Sequence, residues 1–439
     1  MGQTPSPTTI HTGPSISEAS PSLASRDDLS EAQSEKMSDL ARSLTNAAGG
    51  KKHEPTTPEE RRIPALDGVR GIAILFVFLF HTRPATGISS VCNAWNSLFS
   101  PLWCGVDLFF VLSGFLITGI LLSTKNHSKY FLNFFARRTL RIFPLYYGVL
   151  VALFVGLPLL ALLPGLPMRK ILSGDYYRQL WDNQAWLWFY LQNFLQAKGR
   201  HQLPGLGHFW SLAIEEQFYL IWPFLVYILS ERGMLRLSLL ILCCGLPLRW
   251  VMLNNGYDTW EIRHLTFSRI DTLAAGASLA VLVRLLPRSV LRRVAVTLTL
   301  VSSAGLALLM GTVLHFSTND PAVTVWGYTL LALLFSGLIL AISQEMLPNS
   351  VMRIITHRVL IFFGTLSYGI YVFHWPIVHG ARAVFSRIPV SSFAGFPLLL
   401  HLAEWVITLS VTVGAAMLSW WIYESRILRL KRFFRYSDS

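Results

Sequence analysis

Arg70 and His81 are the first residues of this chain placed to do chemistry. They lie in PALDGVRGIAILFVFLFHTRP, residues 64–84, and everything between them is glycine, alanine or apolar. On a helix rising ~1.5 Å per residue they stand roughly 16 Å apart, about half a hydrocarbon core. An arginine is a permanent cation suited to carboxylates and phosphates, while a histidine exchanges a proton near neutrality. Taken alone, the pair has two readings. Either Arg70 snorkels to one interface and His81 ends the helix at the other, or both mark a site inside a membrane, where ionisable groups are costly.

Similar residues recur in other apolar stretches. Asp107 starts one such stretch, and His208 opens HFWSLAIEEQFYLIWPF with Glu215 and Glu216 about two turns further in. Arg269 and Asp271 stand in SRIDTLAAG, and His374 in SYGIYVFHWPIVH. Arg137, Arg138 and Arg141 form a basic block. Each has a bland explanation. A histidine beside tryptophan is commonly interfacial, an acid at a helix start is favoured by the dipole, and Arg269 and Asp271 can pair with each other. Their number argues instead for a polar cavity, because isolated charges in hydrocarbon are expensive. Histidine beside carboxylates suits general-base work, and arginines suit phosphates. The residues fit group transfer from a phosphorylated carrier to a hydroxyl, and fit a proton-coupled transporter equally well.

The elements that must position these residues are transmembrane helices. Of the 439 residues, 52% are hydrophobic and 14% charged, against roughly a quarter charged in soluble domains. A net charge of +13 sits in short clusters between apolar runs, which points to cytoplasmic loops and away from nucleic acid. Apolar segments occur at 66–84, 102–123, 142–164, 209–230, 235–253, 267–286, 294–314, 323–343, 359–381 and 398–423, each near the ~20 residues a span needs. The stretch WLWFYLQNFLQ at 186–196 is ambiguous. If it crossed, every later loop would change sides and the basic end RILRLKRFFR would lie outside. The positive-inside rule therefore predicts an all-α polytopic membrane bundle of about ten helices, with both termini cytoplasmic and 186–196 re-entrant or interfacial. That topology puts His81, Asp107, His208, Glu215, Glu216, Arg269, Asp271 and His374 toward the outer side. Arg70, Arg137, Arg138 and Arg141 fall toward the cytoplasm.

Residues 1–62, rich in Ser, Thr, Pro and Ala, read as a disordered cytoplasmic tail without the pattern of a signal peptide. Residues 63–425 form the membrane domain and 426–439 a basic cytoplasmic tail. Cys92 and Cys104 flank the loop between the first two spans, where a disulfide is feasible if the loop faces an oxidising compartment. Cys243 and Cys244 lie in an apolar helix, and no cysteine spacing suits a metal.

Six blocks in order give the chain a resemblance: IPALDGVRGIAILFVFLFH, GVDLFFVLSGFLIT, FARRTLRIFPLYY, HFWSLAIEEQFYLIWPFL, SRIDTLAAGA and LSYGIYVFHWPIV. Over about 63–425 it resembles the integral-membrane acyltransferase-3 family, whose first span carries an arginine and a histidine separated by ten residues, as Arg70 and His81 are. The resemblance implies an O-acyltransferase that takes an acyl group, acetyl first among them, from cytoplasmic acyl-CoA to a carbohydrate hydroxyl. The resemblance also implies no permanently bound cofactor or metal and a place in a bacterial inner membrane. His81 would be the catalytic base or acyl relay, with Asp107 its orienting acid and Glu215/Glu216 nearby. Arg70 with Arg137, Arg138 and Arg141 would bind the donor. His208, Tyr219, Arg269, Asp271 and His374 would contact substrate, Tyr219 sharing a helical face with Glu216. Ending at residue 439, the chain resembles the standalone type, without a C-terminal esterase-like domain. A lipid transporter or flippase using the same cavity is the alternative, and an inert scaffold a third reading.

Overall fold

A computed structural model describes residues 1–2, 63–84, 90–164, 169, 172–200, 203–313, 316–388 and 397–436. The chain divides into two units, 1–49 and 50–439, and the second carries the fold described below. The tail expected over 1–62 falls almost wholly outside the described residues.

Ten long helices follow one another: α1 Pro64–His81, α2 Gly105–Thr124, α3 Tyr130–Val151, α4 Trp210–Ile228 and α5 Glu231–Asn254. They continue with α6 Ile270–Leu285, α7 Arg288–Thr312, α8 Tyr328–Ser343, α9 Arg358–Phe385 and α10 Pro397–Ser419. No strand occurs among the described residues. Every expected span coincides with one of these helices, and eight are long and apolar enough to cross a membrane. The two that fall short are α4 and the 16-residue α6. Glu215 and Glu216 lower the hydropathy of α4, while α6 is short and shielded by neighbours along most of its length. The protein is an all-α polytopic membrane bundle.

The aromatic stretch near 190 does not form a span. It breaks into helices Gln184–Trp188 and Gln192–Ala197, joined through Tyr190 in a left-handed conformation at φ 54°. Hydrogen bonds tie it down. Tyr146 and Tyr147 of α3 donate to the carbonyls of Leu187 and Trp188 at 2.7 and 3.0 Å. Gln217 of α4 donates to the Tyr190 carbonyl and to Asn193. Non-helical backbone of this kind is tolerated at membrane depth only when protein partners satisfy it.

Two helix pairs are set by glycine. Between α1 and α9, a Cβ at Gly71 would stand 2.0 Å from the Leu360 carbonyl oxygen, and one at Gly364 1.8 Å from that of Asp67. Between α2 and α6, a Cβ at Gly114 would lie 1.9 Å from the Leu273 oxygen, and one at Gly276 1.9 Å from that of Val111. Only glycine permits such backbone contact, the small-residue packing that membrane helices use in place of a hydrophobic driving force. Each pair is parallel and in strict register. The offset of 293 residues between His81 and His374 also separates Gly71 from Gly364, and the offset of 162 between Asp107 and Arg269 also separates Gly114 from Gly276. The glycine contacts therefore dictate which polar side chains meet further along.

The Cys92–Cys104 bond that the sequence leaves open is not formed in the structure, where Cys104 is a free, buried thiol just before α2. Part of the C-terminal stretch packs on the bundle. Residues Arg429–Phe433 form a 3₁₀ turn, and α3 grips the residues that follow: Asn133 donates to the Arg435 carbonyl and Arg137 to that of Phe434.

Gly364→Ala should lower the melting temperature in detergent sharply, since the methyl meets an immovable carbonyl and costs more than the ~1–3 kcal/mol of ordinary overpacking. Gly119→Ala, where nothing lies within 4 Å, should be neutral or raise it. Equal melting temperatures for the two variants would refute the contact.

Candidate functional site

The parallel pair α1/α9 brings His81 against His374, with Nδ1 of His81 3.2 Å from Nε2 of His374. The other ring nitrogen of His374, Nδ1, lies 2.7 Å from the Tyr371 carbonyl oxygen, which can only accept. His374 Nδ1 therefore carries the proton, and in the neutral ring its Nε2 accepts from His81 Nδ1–H. That assignment leaves Nε2 of His81 with a free lone pair. Trp375 packs edge-on to the His81 ring at 4.2 Å, Phe80 flanks it at 4.9 Å, and Arg382 donates to its backbone carbonyl. His374 is fully buried and His81 only partly.

His208 is the third histidine of the group, its ring centre 4.8 Å from that of His374. It is 4% exposed, yet neither ring nitrogen has a hydrogen-bond partner among the described residues. A buried imidazole without partners is unfavourable unless something completes it, and a substrate hydroxyl suits that place. The Tyr371 hydroxyl donates to the His208 carbonyl at 2.7 Å. Its single proton is thereby committed, so Ser211, 2.6 Å away, must donate to it.

Tyr371 and Ser211 also line a cavity of about 120 Å³ shared with Arg70, Arg138, Arg141, Ser113, Glu215 and Tyr219. Ser113 of α2 donates to Glu215 at 2.6 Å, and Arg70 pairs with Asp67 at 2.8 Å. Arg138 lies over the Tyr219 ring at 5.3 Å, and Arg141 over Trp420 at 5.8 Å. Neither of these two arginines makes a hydrogen bond or ion pair among the described residues. Glu216 stands beside the cavity within electrostatic reach of Arg138, one carboxylate oxygen buried without a partner. Glu215 thus shares its space with the arginines, not with His81 as the topology implied. The expected separation of arginines below from acids above does not hold for α4. Arg137 also departs from expectation, turned to the C-terminal segment and not among the residues of this cavity.

Asp107 does not orient His81. Its carboxylate binds Arg269, the residue that caps the start of α6, at 2.5 Å, both side chains 1% exposed, and Arg269 stacks on Tyr328 at 3.5 Å. Nor does Asp271 pair with Arg269. It takes Arg249 of α5 at 2.8 Å, and Arg249 also donates to the Ser268 carbonyl and to Thr329. Helix geometry explains both corrections. Residues two apart on a helix point to different faces, so Arg269 turns to α2 and Asp271 to α5. These two ion pairs hold α2, α5, α6 and α8 together.

Sequence reasoning did not single out Tyr371, Ser211, Tyr328, Arg249 or Arg382. Tyr371 had a usable signal, one turn before His374 in SYGIYVFHW. Arg249 had one too, as an arginine deep in an apolar helix.

The profile of an acyltransferase domain matches residues 63–424. The chain belongs to the acyltransferase-3 family. Similar proteins include the putative peptidoglycan O-acetyltransferase YrhL of Bacillus subtilis, 31% identical over 383 residues, which are 84% of this chain and 56% of YrhL. Another is the peptidoglycan O-acetyltransferase OatA of Listeria monocytogenes, 28% identical over 334 residues, 74% of this chain and 50% of that one. The O-acetyltransferase OatA of Staphylococcus aureus is 27% identical over 343 residues, 75% and 53% of the two chains. The chain therefore spans about half the length of the curated relatives it matches. No solved structure matches. All six acyltransferase-3 blocks read from the sequence contribute to the core just described. The first and last supply His81 and His374, the second and fourth Ser113 and Glu215, the third Arg138 and Arg141, and the fifth Arg269.

Asp107→Ala should leave Arg269 buried and unpaired, a loss of about 3–5 kcal/mol for a buried pair broken from one side. It should show as a large drop in melting temperature and in the yield of monodisperse protein. Retention of the parent melting temperature would contradict the pairing.

Proposed function

We propose that this protein is an O-acyltransferase moving an acyl group from acyl-coenzyme A to a hydroxyl of a carbohydrate acceptor. The observation that carries the reading is the His81–His374 pair, which leaves one imidazole nitrogen unprotonated at the partly exposed end of α1. His81 Nε2 takes the proton of the acceptor hydroxyl as its oxygen attacks the thioester carbonyl. The tetrahedral adduct collapses, the C–S bond breaks, and the coenzyme A thiolate leaves and takes up the proton that His81 holds. His374 steadies the imidazolium through their shared hydrogen bond, a positioning part in general-base catalysis. The acyl thioester enters from the side of Arg70, Arg138 and Arg141, which line the same cavity as Tyr371.

The names of the relatives point to acetyl as the group and to peptidoglycan as the first acceptor to try. Basic residues set the orientation we assign, with the donor side and both termini cytoplasmic. The stranded His208 ring would hold the acceptor hydroxyl beside His81.

Purified protein in vesicles should release free coenzyme A from acetyl-CoA only when a glycan acceptor is supplied. His81→Ala should cut that rate by at least ~10² while keeping the parent melting temperature. Glycan movement across the vesicle wall without coenzyme A release would replace the reading with transport.

A further inference from the structure

Lys431 lies in the basic end RILRLKRFFR, which the sequence reads only as a cytoplasmic tail. It sits in the 3₁₀ turn Arg429–Phe433, and Asn133 and Arg137 of α3 hold the two residues that follow the turn through the carbonyls of Arg435 and Phe434. Its ammonium lies within electrostatic reach of Arg141, Arg138, Arg137 and Arg70, so five cationic side chains converge. The acids facing them are partly engaged. Asp67 is bonded to Arg70, Glu215 accepts from Ser113, and Glu424 accepts from Ser419 within reach of Arg141. Glu216 faces Arg138. Arg138, Arg141 and Lys431 make no hydrogen bond or ion pair among the described residues. Cations gathered at short range repel one another, and partly shielded ones do so strongly. The arrangement is favourable when an anion of several charges sits among them, and phosphates are the group that arginine and lysine recognise best.

The volume of the cavity sharpens this. At about 120 Å³ it is well below the ~300–1,000 Å³ of clefts that enclose a drug-sized ligand. It has room for the acyl end of a thioester and not for a nucleotide. A coenzyme-type donor must leave its phosphates outside it, among the cations that Lys431 shares with the cavity arginines Arg70, Arg138 and Arg141.

We propose that the C-terminal segment is a strap completing a polyphosphate site, with Lys431 binding the phosphates of the donor beside Arg138 and Arg141. The proposal rests on the acyl-coenzyme A reading above and adds a binding residue to it. An anionic lipid headgroup offers the same phosphate chemistry, and the test separates the two sources.

Lys431→Ala and Lys431→Arg are compared with the parent protein in vesicles of phosphatidylcholine alone and of phosphatidylcholine with phosphatidylglycerol. Lys431→Ala should raise KM for acetyl-CoA about tenfold with kcat unchanged, in both kinds of vesicle, and Lys431→Arg should restore it. With acetyl-pantetheine, which carries no phosphate, the alanine variant should match the parent. A KM for acetyl-CoA equal to the parent's overturns the proposal, as does an equal defect with acetyl-pantetheine. A defect confined to phosphatidylglycerol vesicles assigns the site to lipid and also overturns it. If the parent transfers no acyl group, the function reading fails, and calorimetry with coenzyme A alone still decides the site. Weaker binding by Lys431→Ala supports it, and equal binding overturns it.

Discussion

The backbone contact between α1 and α9 is the constraint on which the site depends. Gly71 and Gly364 let each helix press against a carbonyl of the other, and ten residues on in both helices His81 meets His374. Ten residues is about 15 Å of helix, so the contact that fixes the histidines lies well away from them. A parallel pair in register needs no loop to align its ends. Once the glycines touch, the rotation of each helix is set, and so is the face on which its histidine emerges.

The second glycine pair does the same for the buried charges. Gly114 and Gly276 bring α2 and α6 together, and seven residues earlier Asp107 meets Arg269. The Arg249–Asp271 pair extends the lattice to α5. Buried ion pairs add little net stability because desolvation offsets their attraction, but breaking one from a single side is costly. Here they act as register marks. They hold α2, with Ser113, and so the Glu215 partner of Ser113, at a fixed height beside the arginines. The cavity and the histidine cluster then share Tyr371, whose ring faces one and whose carbonyl orients the other.

Much of this was legible in the sequence. The ten apolar runs gave the helices, and charge asymmetry correctly kept 186–196 from crossing, because hydropathy and loop charge are local properties. Pairings were less legible. Depth alone pairs Asp107 with His81, yet depth along a helix says nothing of which face a side chain occupies, and that face is set by glycines whose partners lie more than a hundred residues away. Glu215 was placed with the outer group for the same reason. Lys431 was hidden differently: a basic terminal stretch reads as a solvated tail until α3 is seen holding it. The N-terminal stretch falls outside the described residues.

The proposed chemistry requires His81 and His374 to act as one unit. The direct measurement is a double-mutant cycle on coenzyme A release from acetyl-CoA in the presence of a glycan acceptor, comparing His81→Ala, His374→Ala and the double variant. Groups that work as a unit give strongly non-additive losses. His374→Ala should show a marked loss, and the double variant should keep a residual rate equal to that of His81→Ala alone. Parent-like activity in His374→Ala, or losses that multiply in the double variant, would contradict it.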